Sequence, residues 1–133
     1  MALPTWRGFN PPFFGGSTNV LAPQYDERLI KNDLMLLIMT VPGERRNRPD
    51  YGCRLRNFLF ERASRDQAEE IRNEILQAVS RWEPRVTINS IDAVWSSSQH
   101  RYDISMTFYL NNNPVQALLV ELRFSESGVT NAR

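Results

Sequence analysis

Four carboxylates in polar segments of the chain are the first candidates for chemistry: Glu44, Asp50, Glu61 and Glu83. A glycoside hydrolase needs only two carboxyl groups, one of which must hold a proton near neutral pH. Glu44, Glu61 and Glu83 each have an arginine within two residues, and a nearby positive charge lowers the pKa of a carboxyl group. A general acid requires the opposite shift. We therefore expect no catalytic residue among them and no enzymatic activity.

The other side chains that could support catalysis or bind a metal are isolated in the sequence. His100 is the only histidine and lies in a predicted hairpin loop, and Cys53 is the only cysteine. A zinc site needs clustered histidine, cysteine or carboxylate ligands, and a catalytic nucleophile needs a supported base. The glycines match neither of the glycine-rich phosphate-binding motifs. We expect neither a metal site nor a cofactor.

The basic residues could instead form a binding surface. Only Lys31 is a lysine among the 16 basic residues. Five arginines are close together, beside Tyr51, and could contact nucleic acid: Arg45, Arg46, Arg48, Arg54 and Arg56. A net charge of +1 and the lack of a known nucleic-acid motif argue against that partner. Arginine also suits protein interfaces because it pairs bidentately with carboxylates, although codon usage in a GC-rich genome would give the same composition.

The segment Glu83-Pro84-Arg85 lies where a helical pattern ends and a strand pattern begins. Proline cannot continue a helix and biases the preceding residue toward extended geometry. A helix stop does not require the two flanking charges. We therefore predict that Glu83 and Arg85 are presented at a rigid corner, where they contact this fold, a partner, or both.

Length and composition indicate one ordinary globular domain. The chain has 133 residues, of which 41% are hydrophobic and 23% charged. No apolar run approaches the roughly 20 residues that span a bilayer, and the N-terminus does not resemble a secretory signal. A single cysteine suits a reducing cytoplasm. We expect synthesis in a cytoplasm and no membrane partner.

Hydrophobic spacing predicts two helices. The first begins at Asp26 and runs to about Met39, where Pro42-Gly43 ends it. The second follows a capping box, Ser64 with Gln67, and its predicted apolar face contains Ala68, Ile71, Ile75, Leu76, Val79 and Trp82. Residues 42–54 between the helices are predicted to form a polar loop.

After Pro84 the spacing changes to the two-residue period of strands. Three strands are predicted, over residues 86–95, 100–110 and 114–124, with a bulge or bend near Asn89-Ser90. Short loops make them an antiparallel meander, and two helices on one face give a two-layer α+β fold. The outer strands are open edges, which are templates for a strand from another chain.

The predicted organisation has three parts. Residues 1–24 form an extended arm rich in proline and aromatic residues, which packs either on its own core or on a neighbouring subunit. Residues 25–124 form the α+β domain. Residues 125–133 are predicted to be a loose tail.

Two motifs occur in order in the chain, with a helix between them. The first runs from Leu37 to Arg45 and continues through Arg48-Pro49-Asp50-Tyr51-Gly52-Cys53 to Leu55. The second is Glu83-Pro84-Arg85 followed by a strand. Together they resemble the motifs of the baseplate wedge family of contractile phage tails, which is often labelled lysozyme-like and has counterparts in type VI secretion baseplates. The likeness extends from about Gly15 to Phe124.

The resemblance implies a structural role in the virion tail baseplate. It implies a fold similar to the strand-exchanging domain of sheath proteins, copies arranged as a ring, and a template for the first sheath ring. The implied partners are the sheath protein, other wedge proteins, and tube or hub proteins. The expected partner interface comprises Pro42, Gly43, Glu44, Arg45, Arg48, Pro49, Tyr51, Gly52, Glu83, Pro84 and Arg85. A subunit of a type VI secretion system or another contractile particle is the alternative.

Overall fold

The structure, a computed structural model, describes residues 7–9, 23–60, 64–125 and 128–131. Two α-helices are present, α1 (Asp26–Met39) and α2 (Arg65–Trp82), with a 3₁₀ helix at Leu55–Phe60. Six strands accompany them in this described part of the chain: β1 (Arg7–Phe9), β2 (Pro23–Tyr25), β3 (Val86–Ser96), β4 (Arg101–Leu110), β5 (Asn113–Ser125) and β6 (Gly128–Asn131).

The Ser64 cap predicted for α2 is present, but Gln67 does not complete a capping box, because its side chain bonds to Phe58 and Tyr102 instead. The Ser64 side chain accepts a hydrogen bond from the Gln67 backbone N–H at 3.1 Å, which satisfies one donor that the first helical turn leaves unpaired. The buried Gln67 side chain donates to the Phe58 carbonyl oxygen at 2.6 Å and accepts from the Tyr102 hydroxyl. This one residue therefore ties the start of α2 to the 3₁₀ helix and to the sheet.

The predicted antiparallel meander of β3, β4 and β5 is confirmed, and α1 and α2 cover one of its faces. The register shifts between Ile88 and Ser90, where the bulge was predicted. Strand β4 is central, and its alternate residues point into the core. The buried residues on the strands are Ile91, Tyr102, Ile104, Met106, Phe108, Leu110, Leu118, Val120, Leu122 and Phe124.

Residues 125–133 are not simply the loose tail that was predicted. Gly128–Asn131 forms β6, which pairs antiparallel with Leu122–Ser125 of β5. The sheet therefore has four strands in the order β3-β4-β5-β6. A short added strand partly shields a sheet edge. Because β6 pairs only with Leu122–Ser125, the outer edge of β5 before Leu122 has no neighbour among the described strands.

The apolar face of α2 also differs from the prediction at one position. Leu76 was expected in the core but is 42% exposed, whereas Ala78 is buried beside Val79. The core-facing stripe of α2 follows Gln67, Ile71, Ile75 and Ala78. Leu76 lies just off that stripe because one residue advances the helix by about 100°.

The described part of the N-terminal arm consists of β1 and β2, which pair antiparallel with Arg7 opposite Tyr25. Their backbones lie beside α1. Residues 1–6 and 10–22, on which much of the arm prediction rests, lie outside the described residues. None of the described helices is long and apolar enough to cross a membrane.

Candidate interaction site

The corner at Glu83-Pro84-Arg85 is closed by backbone hydrogen bonds. The Glu83 N–H donates to the Val79 carbonyl oxygen at 2.8 Å and ends α2. Asn111, in the turn between β4 and β5, donates its side-chain N–H to Pro84 O at 2.7 Å and its backbone N–H to Arg85 O at 3.0 Å. The hairpin turn therefore holds the corner against the sheet.

The charges of the corner pair inside the molecule. Arg85 Nε donates to Glu83 Oε1 at 2.5 Å, and Arg85 Nη2 donates to the other Glu83 oxygen. The same Nη2 reaches Asp33 Oδ2 of α1 at 2.7 Å. The pKa of Arg85 lies above its ordinary value, chiefly because of the hydrogen bonds to Glu83 and then because of Asp33. Arg85 therefore bridges α1 and the end of α2.

The prediction that Glu83 and Arg85 are presented together needs correction. The Glu83 side chain is only 7% exposed, since Arg85 and the end of α2 cover it. Pro84 is exposed and Arg85 is partly exposed. A partner could contact the corner through Pro84 and one side of Arg85, while Glu83 acts on that surface only by orienting Arg85.

Loop 42–54 returns to the end of α1 at Gly52. This glycine has φ +128°, and a Cβ placed there would lie 2.3 Å from the Thr40 carbonyl oxygen. The same oxygen accepts a hydrogen bond from the Cys53 N–H at 2.9 Å. The close backbone approach therefore requires glycine at position 52.

Polar contacts hold the loop at several other points. Glu44 accepts a hydrogen bond from the Val41 backbone N–H at 3.0 Å. Asp50 pairs with Arg81 of α2, and the Arg54 backbone N–H donates to Glu74 Oε1 at 3.1 Å. These acidic residues anchor the loop to the backbone at Val41 and to α2.

Two aromatic rings join the loop to the corner. Tyr51 meets Trp82 edge-on, with 5.3 Å between ring centroids. Arg45 lies over the Tyr51 ring at 4.1 Å, and Arg81 and Arg48 lie over Trp82 at 4.9 and 5.8 Å from its centroid. Burial raises the pKa of Tyr51; the nearby negative charges of Asp33 and Glu83 add to this, and Arg45 opposes it. The two sequence motifs therefore lie next to each other, joined through Trp82.

The residues considered for catalysis either lie apart from one another or already bond to other groups of the fold. Glu44, Asp50 and Glu83 each accept hydrogen bonds from a backbone N–H or an arginine, and Glu61 lies outside the described residues. His100 lies in the β3–β4 turn against Trp95. Burial raises the pKa of the Cys53 thiol to about 12. Among the described residues no group of histidine, cysteine and acidic side chains could hold a metal.

Two residues of the corner were missed by sequence reasoning. Asp33 lies 52 positions before Arg85, and Asn111 belongs to a run of three asparagines that was predicted only as a turn. The one sequence signal for Asp33 is that this carboxylate lies on the apolar side of α1, one helical turn from both Leu29 and Leu37. Nothing local to Asn111 distinguishes it from Asn112.

Comparison with known proteins gives a consistent result. The family model of the baseplate wedge protein gp25 matches residues 24–115. The baseplate wedge protein gp25 of Enterobacteria phage T4 is 28% identical over 100 residues, which cover 75% of this chain and 76% of that protein.

Two solved structures have a similar fold. A chain of the anti-feeding prophage baseplate has a TM-score of 0.70 and 24% identity, over 79% of this chain and 85% of that one. A proposed tail lysozyme from Geobacter sulfurreducens has a TM-score of 0.69 and 25% identity, over 74% and 89% of the two chains. The family match covers more than half of this sequence and includes both motifs. The chain therefore belongs to the baseplate wedge protein gp25 family.

Proposed function

We propose that the chain is a non-enzymatic structural subunit of the baseplate of a contractile phage tail, located in the virion after synthesis in the host. Family membership carries this proposal, and the similarity to the phage T4 wedge protein supports it. Its proposed partners are other wedge proteins and the sheath protein. Copies of the subunit would form a ring, which tube or hub proteins could also contact. The likeness to a proposed tail lysozyme does not favour hydrolysis, because the candidate carboxylates Glu44, Asp50 and Glu83 are engaged in holding the fold.

The finer part of the proposal is that a sheet edge receives the first sheath subunit. Edge strands carry unpaired N–H and C=O groups that another chain can bind by strand addition. Strand β3 has a bulge and the exposed Asp92, both of which discourage pairing. The part of β5 before Leu122 presents apolar side chains, with Val115 89% and Leu119 47% exposed. We assign the template to this part of β5.

The corner and the loop form the proposed contact with the wedge. Pro84 and Arg85 supply the exposed side of the corner, and loop residues Pro42, Gly43, Glu44, Arg45, Arg48, Pro49 and Tyr51 continue the proposed contact. Gly52 was also expected in the interface, but it is buried against Thr40 and can act only by shaping the loop. Glu83 contributes by orienting Arg85. A secretion-system or other contractile-particle baseplate would use the same surfaces, and particle reconstitution with phage components separates these alternatives.

A double substitution on the β5 edge tests the sheath role. In the Val115→Lys/Leu119→Lys variant we expect a folded subunit, because both side chains are exposed, that enters baseplates but does not support sheath assembly. Electron microscopy of particles made with the variant measures both steps. The matched control is Val94→Lys on β3, which is 64% exposed and should leave the sheath intact. A normal sheath on the double variant, or loss of the sheath in the control, would contradict the assignment to β5.

A further inference from the structure

The surface around loop 42–54 carries arginines that form no ion pair within the described part of the chain. Among the ion pairs of the described residues, none involves Arg45, Arg46 or Arg48. The two acidic residues of the loop are engaged elsewhere, since Glu44 bonds to the Val41 N–H and Asp50 to Arg81. Because the whole chain has a net charge of only +1, this positive charge is a local feature of one surface.

Two of the three guanidinium groups of this surface, those of Arg45 and Arg48, are oriented in advance. Arg45 lies over Tyr51 and Arg48 over Trp82, and such cation–π contacts hold a flexible side chain in place. A guanidinium group that stacks through its face keeps its in-plane N–H groups available for hydrogen bonds. Preorientation lowers the entropy that these side chains would lose on binding. The geometry therefore suits planar, bidentate acceptors such as carboxylates.

A cleft lies beside these arginines, between the loop and the last turns of α2. It has a volume of about 450 Å³ and apolar walls at Pro42, Pro49, Ala78 and Trp82. Its polar lining consists of Asp50, Arg54, Glu74, Gln77 and Arg81. The two carboxylates are engaged, since Asp50 pairs with Arg81 and Glu74 accepts from the Arg54 N–H, and Arg48 reaches the cleft through its contact with Trp82. An apolar side chain can enter such a cleft while charged neighbours pair at its rim.

We propose that this arginine-edged cleft binds an acidic polypeptide segment of a neighbouring subunit, with carboxylates on Arg45, Arg46 and Arg48 and one apolar side chain in the cleft. The proposal rests on the proposed baseplate role, which supplies protein neighbours, and names the chemistry of one of them. A single-stranded nucleic acid fits less well. It needs free aromatic faces for base stacking, whereas arginines lie over the Tyr51 and Trp82 rings.

Binding of a synthetic probe to the purified full chain tests this inference. The probe is a fluorescein-labelled peptide that alternates glutamate and serine around one central leucine, and fluorescence anisotropy measures its affinity. Replacing Arg45 and Arg48 together by Gln should weaken binding roughly tenfold or more, since hydrogen bonds to charged groups are lost. The Arg28→Gln/Arg123→Gln variant makes the same change in net charge at other exposed positions and should bind normally.

Further variants and a nucleic-acid probe separate loss of the planar guanidinium group from loss of charge, and peptide binding from nucleic-acid binding. The Arg45→Lys/Arg48→Lys variant keeps the charge but not the planar fork, so an intermediate loss is expected, and it serves as the test if the Gln variant fails to fold. Equal weakening in the Arg28/Arg123 control would overturn the inference, as would tighter binding of oligothymidylate than of the peptide. Because no particle is needed, the result is independent of the sheath assay on Val115 and Leu119.

Discussion

The Arg85 side chain is the residue on which the corner depends. It neutralises the buried Glu83 carboxylate and reaches across to Asp33 on α1. Removing one member of a buried ion pair costs more than the pair itself contributes, because the remaining charge is left without a partner. Loss of assembly in an Arg85 variant would therefore not identify a contact with a partner unless stability were measured as well.

We expect Arg85→Ala to lower the free energy of unfolding by roughly 2–3 kcal/mol, since it leaves Glu83 buried and unpaired. Asp33→Asn should cost about 1 kcal/mol, because the Glu83–Arg85 pair remains. Urea denaturation measures both. Arg81→Ala is the comparison variant: its pair with Asp50 is exposed on both sides and its contact with Trp82 is a surface cation–π contact, so a change of about 1 kcal/mol or less is expected. Equal effects for Arg85 and Arg81 would show that the corner is not held by its charges.

The buried Cys53 thiol gives a prediction for alkaline pH. Its pKa rises from 9.0 to about 12 on folding, because burial disfavours the thiolate. Below the pKa of the unfolded state, the thiol is protonated in both the folded and the unfolded protein, so its ionisation does not reduce the free energy of unfolding. As the pH rises toward about 12, the thiol ionises only in the unfolded protein, so the free energy of unfolding falls.

Relative to a Cys53→Ala variant, the wild-type protein should therefore lose about 1 kcal/mol of stability between about pH 8 and about pH 10. Urea titrations of both proteins at the two pH values measure this difference. Slow reaction of the native thiol with an aromatic disulfide reagent at neutral pH, and fast reaction in urea, would agree with the same burial. A pH dependence identical in the two proteins would contradict it.

At the scale of elements, loop 42–54 behaves as part of the fold rather than as a free connection. It is attached to α1 through Thr40 and to α2 through Asp50 and Glu74. Its polar composition predicted a loop correctly, but composition could not reveal these attachments. The arginines are displayed in fixed positions because the loop beneath them is anchored.

Gly52 and Gly43 allow a matched test of that anchoring. Gly52→Ala should destabilise the protein by roughly 3 kcal/mol or more, because the new Cβ would meet the Thr40 backbone and the backbone would be strained. Gly43→Ala has open space around its Cβ but a φ of +101°, so only strain of roughly 1–2 kcal/mol is expected. Thermal or urea unfolding gives the comparison. If Gly43→Ala were the more damaging change, the close approach at Thr40 would not be what holds the loop.

At the scale of the whole molecule, the proposed contacts lie on different elements, and Asn111 in the β4–β5 turn holds the corner next to the start of β5. The corner, the loop and the cleft lie next to one another at the end of α2, whereas the open part of the β5 edge lies in the sheet. A subunit that binds partners through two different elements can join one layer of an assembly to the next. The sheath-assembly assay changes Val115 and Leu119 on β5, and the peptide-binding assay changes Arg45 and Arg48 in the loop. Either proposal can therefore be contradicted without affecting the other.

Local pattern alone determined the helices, the meander, the bulge near Asn89 and the cap at Ser64, because spacing and capping act over a few residues. Both motifs were also recognisable in the chain. Tertiary structure decided which charges meet: Arg85 binds Asp33, Asp50 binds Arg81, and arginines stack on Tyr51 and Trp82. It also paired β6 with β5 and buried Glu83. These contacts depend on how distant elements pack together, which the period of a sequence does not specify.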